Sequence, residues 1–286
     1  MGKIIKSILV VSDTHINSKF AISHPGWDAK PPTNTFQDGE LFKTRKELRE
    51  KFKDATQKHL KSINMSAFTH VFHLGDIVDV NPRWNAKLEL LSTREADIIQ
   101  HAVDWFLCLP INRETYFRGV LGSFSHVLAL DSDELEAKIF KEVQHMGYDA
   151  EIDSEVDVGI EWSGFSYFFY MVHALPKKYI TNDSLAYALI TDKYTRLGQP
   201  VPNRILCGHQ HSPKNRHDDW LEQGIEVVPA LKFAGEKFGR YCDPLSNNGI
   251  MKSGFVTYDF EEGNSDPIRK AHPIHIVSNK KETKML

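Results

Sequence analysis

Four short apolar runs in this chain each end on a residue able to bind a metal ion, and that recurrence constrains the fold more than any other feature. "SILVV" runs into Asp13-Thr14-His15, "HVFHLG" into Asp76, "YFFYMV" into His173, and "RILCG" into His209-Gln210-His211. Each run is short, rich in β-branched or aromatic residues and without a helical period, which predicts buried strands. In an open α/β sheet, ligands gather beyond the carboxyl ends of the strands. If these strands lie side by side, their polar ends converge on one cleft.

The rest of the chain alternates strands with helices and then turns strand-rich. Residues 41–63 read as an amphipathic helix, with Leu41, Leu48, Phe52, Ala55, Leu60 and Ile63 near one face. Residues 85–107 read as another, with Leu88, Leu91, Ile98, Ala102 and Phe106 inside. "TYFRGVLG" is a further strand. Asp131 and Glu134 form a capping box before a helix bearing Leu135, Ile139, Val143 and Met146. "DVGIEWSGFSYFFYMVHA" reads as a hairpin about Ser163-Gly164, and 183–197 as a helix stopped by Gly198 and Pro200. "GIEVVPAL", "SGFVTYDF" and "HPIHIVS" are three late strands. Loops 17–39 and 212–224 are expected to shape a pocket. With 286 residues, no internal repeat and no Gly/Ser linker, the economical expectation is a single domain over 1–278, a helical insert at about 83–110, and a frayed tail at 279–286.

Composition removes several function classes. The net charge of −3, with its signs interleaved, leaves no strong basic footprint for duplex nucleic acid. The three cysteines are scattered without a CxxC, which argues against both a disulfide framework and a thiolate zinc site. No run approaches a membrane span and the N-terminus carries no long apolar segment, so a cytoplasmic location and no membrane partner are expected.

The donor types and their spacing suit a hard or borderline divalent ion. In an extended chain residues i and i+2 face the same side, so Asp13 with His15, and His209 with His211, can each reach one ion. Gly75 and Gly208 let the backbone turn sharply beside them. Asp and His donors suit Mn²⁺, Fe or Zn²⁺. Single histidines elsewhere have blander readings. His70, His73 and His101 are expected to be structural. His24, His59, His145 and His217 are expected at the surface, and His272 and His275 outside any ligand set.

With "DTH", "GDIVD", a glycine turn followed by a histidine, "VHA" and "GHQH" in this order, the chain resembles the calcineurin-like metallophosphoesterases over nearly its whole length. Finer features resemble the phage- and prophage-encoded branch: the helical insert after "GDIVD" with Gln100 in its second half, the turn "GSFSH", the run "ALDSDELEAKI", and "VPALKF". The resemblance implies a four-layer α-β-β-α sandwich, two mixed sheets flanked by helices, around two divalent ions. Mn²⁺ is the first expectation, with Fe, Zn²⁺ and Ni²⁺ as alternatives. By that resemblance Asp13, His15 and His211 hold one ion, Asp76 bridges both, and His173 and His209 hold the second. His126 protonates the leaving group and Asp79 orients it. The usual third motif is Gly-Asn-His, whose Asn ligates the second ion. Here Gly122-Ser123-Phe124-Ser125-His126 has no Asn, and Ser123, Ser125 or a water takes that place, with Ser123 the first choice.

The expected activity is therefore hydrolysis of a phosphodiester or phosphomonoester by a hydroxide bridging two cations. A nucleotide or nucleic-acid substrate is expected ahead of a phosphoprotein. The alternative is a degenerate member of the fold with a weakened second metal site, acting as a binding or regulatory module. Arg118, just before the glycine turn, is a candidate phosphate contact.

Overall fold

The first strand, β1 (Ile4–Val11), shows why the apolar runs pair as they do. Its Ile8–Val11 stretch is buried on both faces, so it needs a covered sheet with neighbours on both edges. In the computed structural model, which describes residues 2–18, 21–27, 36–80, 90–123, 132–175, 183–209, 221–222, 224–231 and 250–277, β1 pairs in parallel with β2 (His70–His73) and antiparallel with the late strand β10 (Ile250–Glu261). β3 (Tyr116–Val120) and β4 (Asp149–Asp153) continue on the far side, and β11 (Ile268–Val277) closes the other edge. The first sheet has the order β11-β10-β1-β2-β3-β4.

A second sheet is built from β5 (Glu155–Trp162), β6 (Phe165–Val172), β7 (Arg204–Cys207), β8 (Leu221–Glu222) and β9 (Ile225–Val227), in the order β5-β6-β7-β9-β8. Strands β6, β7 and β9 run parallel, as β1, β2, β3 and β4 do in the first sheet. Both sheets are therefore mixed, and each has a parallel centre whose strand ends share a direction.

Three apolar layers hold the sandwich together. Between the sheets lie Ile8, Val10, Phe72, Met171, Leu206 and Tyr258. The outer face of the first sheet packs on α1 (Phe36–Ser62), α2 (Glu95–Leu107) and α3 (Ser132–His145) through residues such as Leu48, Phe106 and Phe140. The outer face of the second sheet packs on α4 (Asp183–Leu197) through Tyr170, Ala186, Tyr194 and Ile205. The fold is the expected four-layer α-β-β-α sandwich, two mixed sheets flanked by helices.

Several local expectations need amending. β4 and β8 were not anticipated. β4 is half exposed and carries Asp149, Glu151 and Asp153, so it lacks the apolar signal of a central strand. His59 is buried, not superficial: its Nε2 lies 3.0 Å from Asp259, which also accepts from Ser7. Met146 is exposed past the end of α3. Leu41, Leu88, Asp131, Glu134, His217, His275 and the tail lie outside the residues whose side chains the structure describes.

Candidate metal centre

The expected ligands sit at the carboxyl ends of five strands: Asp13 and His15 after β1, Asp76 after β2, Ser123 after β3, His173 after β6 and His209 after β7. They do not converge by extended alternation. Asp13 (φ 46°), His15 (φ 44°), Asp76 (φ 50°) and His209 (φ 62°) all adopt left-handed backbone. Asp and His tolerate that region better than most residues, yet each such position costs about 1–3 kcal/mol and tends to cluster at functional sites. The strands end in tight left-handed turns, and these turns aim the side chains inward.

Close approach among the β1, β2, β6 and β7 turns requires glycine at Gly75 and Gly208. A Cβ on Gly75 (φ 85°) would stand 2.5 Å from His173 Nδ1. A Cβ on Gly208 would overlap Ser12 Oγ and lie 2.7 Å from both Asp13 Oδ2 and Leu74 O. These glycines let the β1, β2, β6 and β7 ends meet.

Asp76 lies at the middle of the cluster. Its Oδ2 is 3.4 Å from His173 Nε2 on one side and 4.0 Å from His15 Nε2 on the other. His15 Nε2 is 3.9 Å from Asp13 Oδ1, and His173 Nε2 is 3.2 Å from His209 Nδ1. Two donor groups result, Asp13–His15–Asp76 and Asp76–His173–His209. Within each, the ligand atoms lie inside 4.8 Å of one another, and Asp76 belongs to both. Carboxylate and imidazole donors in two sets sharing one carboxylate fit a pair of divalent cations.

Hydrogen bonds set the direction of His173 and Asp13. His173 Nδ1 donates to Leu74 O at 2.7 Å, which turns Nε2 toward Asp76 and His209. A backbone acceptor on the remote nitrogen is the usual way of fixing a ligating histidine. Asp13 Oδ2 accepts from Ser12 Oγ and from the His209 backbone N–H, so Oδ1 is the oxygen facing His15. Asp79 Oδ2 stands 3.9 Å from His15 Nδ1. Thr14 donates to Ile77 O and accepts from His73, tying the first turn to the second.

Electrostatically the cluster is rich in buried acid. Burial, with the Asp76 charge adding to it, pushes Asp13 up to about 6. Burial would lower His173, but the Asp76 and Asp13 carboxylates outweigh it and raise the imidazole to about 10. Such a site holds excess negative charge, which a cation would compensate.

Of the expected site residues, Asp13, His15, Asp76, Asp79, Ser123, His173 and His209 are gathered here. Ser123 meets Asp76 twice: its N–H donates to Oδ1 at 2.6 Å, and its Oγ lies 3.1 Å from each carboxylate oxygen. His126, His211 and Ser125 lie outside the described residues. Arg118 is not turned to the site as a phosphate contact. Its guanidinium bonds Asp149 at 2.7 Å and approaches Glu151 at 3.6 Å, because the unanticipated acidic strand β4 runs beside it. Of the structural histidines, His70, His73 and His101 are buried as expected.

Two supporting residues escaped the sequence reading. Asn17 bridges Asp79 O and Ser92 O through Nδ2 and accepts from Ser92 N. Glu136, buried on α3, accepts from Ile77 N and Gly122 N, each at 2.7 Å. Burial, and then the Asp76 charge, pushes Glu136 up to about 7. A signal for it was present: Glu136, Ile139, Phe140 and Val143 follow helical spacing, so an acid shares the apolar face.

No family model and no curated protein matches the chain. Solved structures that align with it include a single mutant of Vps29 from Entamoeba histolytica, with 12% identity over 94% of this chain and 99% of that one, at a TM-score of 0.32. A protein of unknown function, AQ665 from Aquifex aeolicus, aligns with 16% identity over 79% of this chain and 91% of that one, at 0.31. The sulfate thiohydrolase SoxB of Thermus thermophilus, in complex with glycerol, aligns with 11% identity over 96% of this chain and 57% of that one, at 0.39. At scores of this size, the fold rests on the strand order and layers described above.

Proposed function

We propose that the chain is a metal-dependent phosphoesterase of the calcineurin-like kind, hydrolysing a phosphodiester or phosphomonoester of a nucleotide or nucleic acid. The observation that carries this reading is the buried Asp76 carboxylate, shared by two carboxylate–imidazole donor groups. Two divalent cations there, Mn²⁺ first among the candidates, would neutralise the phosphoryl oxygens and supply a nucleophile from water at neutral pH.

The chain's own residues have separate tasks. Asp13, His15 and His211 hold one cation, His173, His209 and Ser123 the other, and Asp76 spans both. The strand ends keep Asp13, His15, Asp76, Ser123, His173 and His209 at a fixed separation. The Asp79 carboxylate lies 3.9 Å from the remote nitrogen of His15, a charge contact beyond hydrogen-bond reach. His126 delivers a proton to the departing oxygen, a service worth ~10²–10⁴-fold for a poor leaving group. Asp79 is also the carboxylate proposed to orient His126.

A second reading is supported by Ser123. Where the resembled family places an Asn ligand, this chain places a hydroxyl that bonds Asp76. A weakened second site would suit a binding or regulatory module.

Hydrolysis of bis-p-nitrophenyl phosphate and p-nitrophenyl phosphate by metal-stripped protein, titrated with Mn²⁺, tests the two readings. Mn²⁺-dependent turnover is expected on these aryl esters, and with an alkyl diester added as a third substrate His126→Ala should lose more turnover on it than on either aryl ester. Absence of turnover with every divalent ion would replace the enzyme by the binding module.

A further inference from the structure

The geometry points to Glu136 as a positioning residue that locks the Asp76 turn to the Ser123 turn and so sets the shared carboxylate in place. This rests on the metal-site reading above.

Glu136 spans the gap between two strand ends. Oε1 accepts from the backbone N–H of Ile77, the residue after Asp76, and Oε2 accepts from Gly122, the residue before Ser123. Across the same gap the Ser123 N–H and hydroxyl bond the Asp76 carboxylate. The two turns are thus joined on both sides, by Glu136 from the helix layer and by Ser123 from the site. Gly122 makes this closeness feasible, since a Cβ there would lie 2.8 Å from Asp76 Cα.

The carboxylate is held firmly because its helix is. One turn further along α3, Phe140 packs directly on Gly119 of β3, where a Cβ would overlap the ring. Leu135, Ile139 and Val143 complete the buried face. Residues 136 and 140 therefore stack along the helix as 122 and 119 stack along the strand and its turn. Only a carboxylate offers acceptors on both prongs. A glutamine of equal size presents an amide N–H₂ to one of the two backbone donors, and buried donors without acceptors are strongly disfavoured.

The test uses the full chain and three proteins: wild type, Glu136→Gln, and Ile139→Val as a one-methyl change in the buried face of the same helix. In metal-free protein, amide hydrogen exchange is followed at Ile77 and Gly122. Mn²⁺ affinity is measured by calorimetry. Faster exchange at those amides and a loss of about 10–100-fold in Mn²⁺ affinity are expected for Glu136→Gln, with Ile139→Val close to wild type in both. Wild-type exchange in Glu136→Gln overturns the clamp. An equal affinity loss in Ile139→Val overturns the positioning role in favour of general destabilisation. Wild-type protein that takes up no Mn²⁺ overturns the metal reading and the claim that the clamp serves it, whereas the exchange data still decide whether the turns are locked.

Discussion

Replacing Gly122 by alanine should separate the effect of site geometry from that of overall stability. The φ of Gly122 lies outside the left-handed range, so alanine is allowed conformationally and the cost is steric. The added Cβ would overlap Asp76 N and Oδ1 and lie 2.8 Å from its Cα, whereas carbon atoms pack at about 3.5–4.0 Å. Relief needs a shift of roughly 1 Å between the turns. Glu136 resists it, because its two 2.7 Å bonds hold the residues beside the clash. Overpacking of this kind costs about 1–3 kcal/mol. The functional cost should be larger. Asp76 Oδ2 stands 3.4 Å from His173 and 4.0 Å from His15, so a displacement of this size takes it from one donor group or the other. A misplacement of about 1 Å can cost ~10²-fold in rate. Urea denaturation measures the first effect, and Mn²⁺-dependent hydrolysis of bis-p-nitrophenyl phosphate the second. Wild-type Mn²⁺ dependence and turnover in Gly122→Ala would refute the claim that this contact fixes Asp76.

Two further outcomes concern stability. Burial, reinforced by Lys6 and Arg118, lowers His70 from 6.5 to about 4. The unfolded chain therefore binds a proton that the folded chain refuses, and the contribution of His70 is complete above pH 6.5 and declines as pH falls toward 4. That window is worth about 3 kcal/mol. His70→Phe, which keeps a ring against Tyr116, should flatten the acid slope by about 2 kcal/mol between pH 7 and pH 4.5; an unchanged slope would refute the assignment. Between the sheets, buried Glu226 accepts from Arg269 and from Tyr258. Arg269→Met should cost up to about 3 kcal/mol by removing the main counter-charge while Tyr258 still bonds the carboxylate, and Glu226→Leu added to it should recover much of that in urea denaturation. A single variant no weaker than the double would contradict the pairing.

The parts of the fold legible in the sequence are those where burial leaves a one-dimensional trace. Ile8–Val11, His70–His73 and Arg204–Cys207 are near-continuous apolar runs because parallel central strands are covered on both faces. The helix α4 was delimited by Gly198 and Pro200, and the hairpin turn by Ser163-Gly164, both with φ above zero. β4 left no such trace, since its exposed acids alternate with few apolar residues. That Asp13, His15, Asp76, His173 and His209 gather in one cluster was legible because each follows an apolar run. Glu136 was legible only as an acid on an apolar helix face, and its bonds to two backbone amides 59 and 14 positions away were not. Arg118 was misjudged for a related reason: its partner Asp149 belongs to the strand that went unseen. The left-handed turns were also hidden, because Asp and His adopt that backbone without glycine to announce it.

In the proposed site one buried carboxylate, Asp76, serves two cations. Metal content by equilibrium dialysis against Mn²⁺, for wild type and Asp76→Asn, tests it most directly. The account predicts two Mn²⁺ per wild-type chain and loss of both high-affinity sites in a folded Asp76→Asn protein. Two equivalents retained by Asp76→Asn, or none bound by wild type, would contradict it.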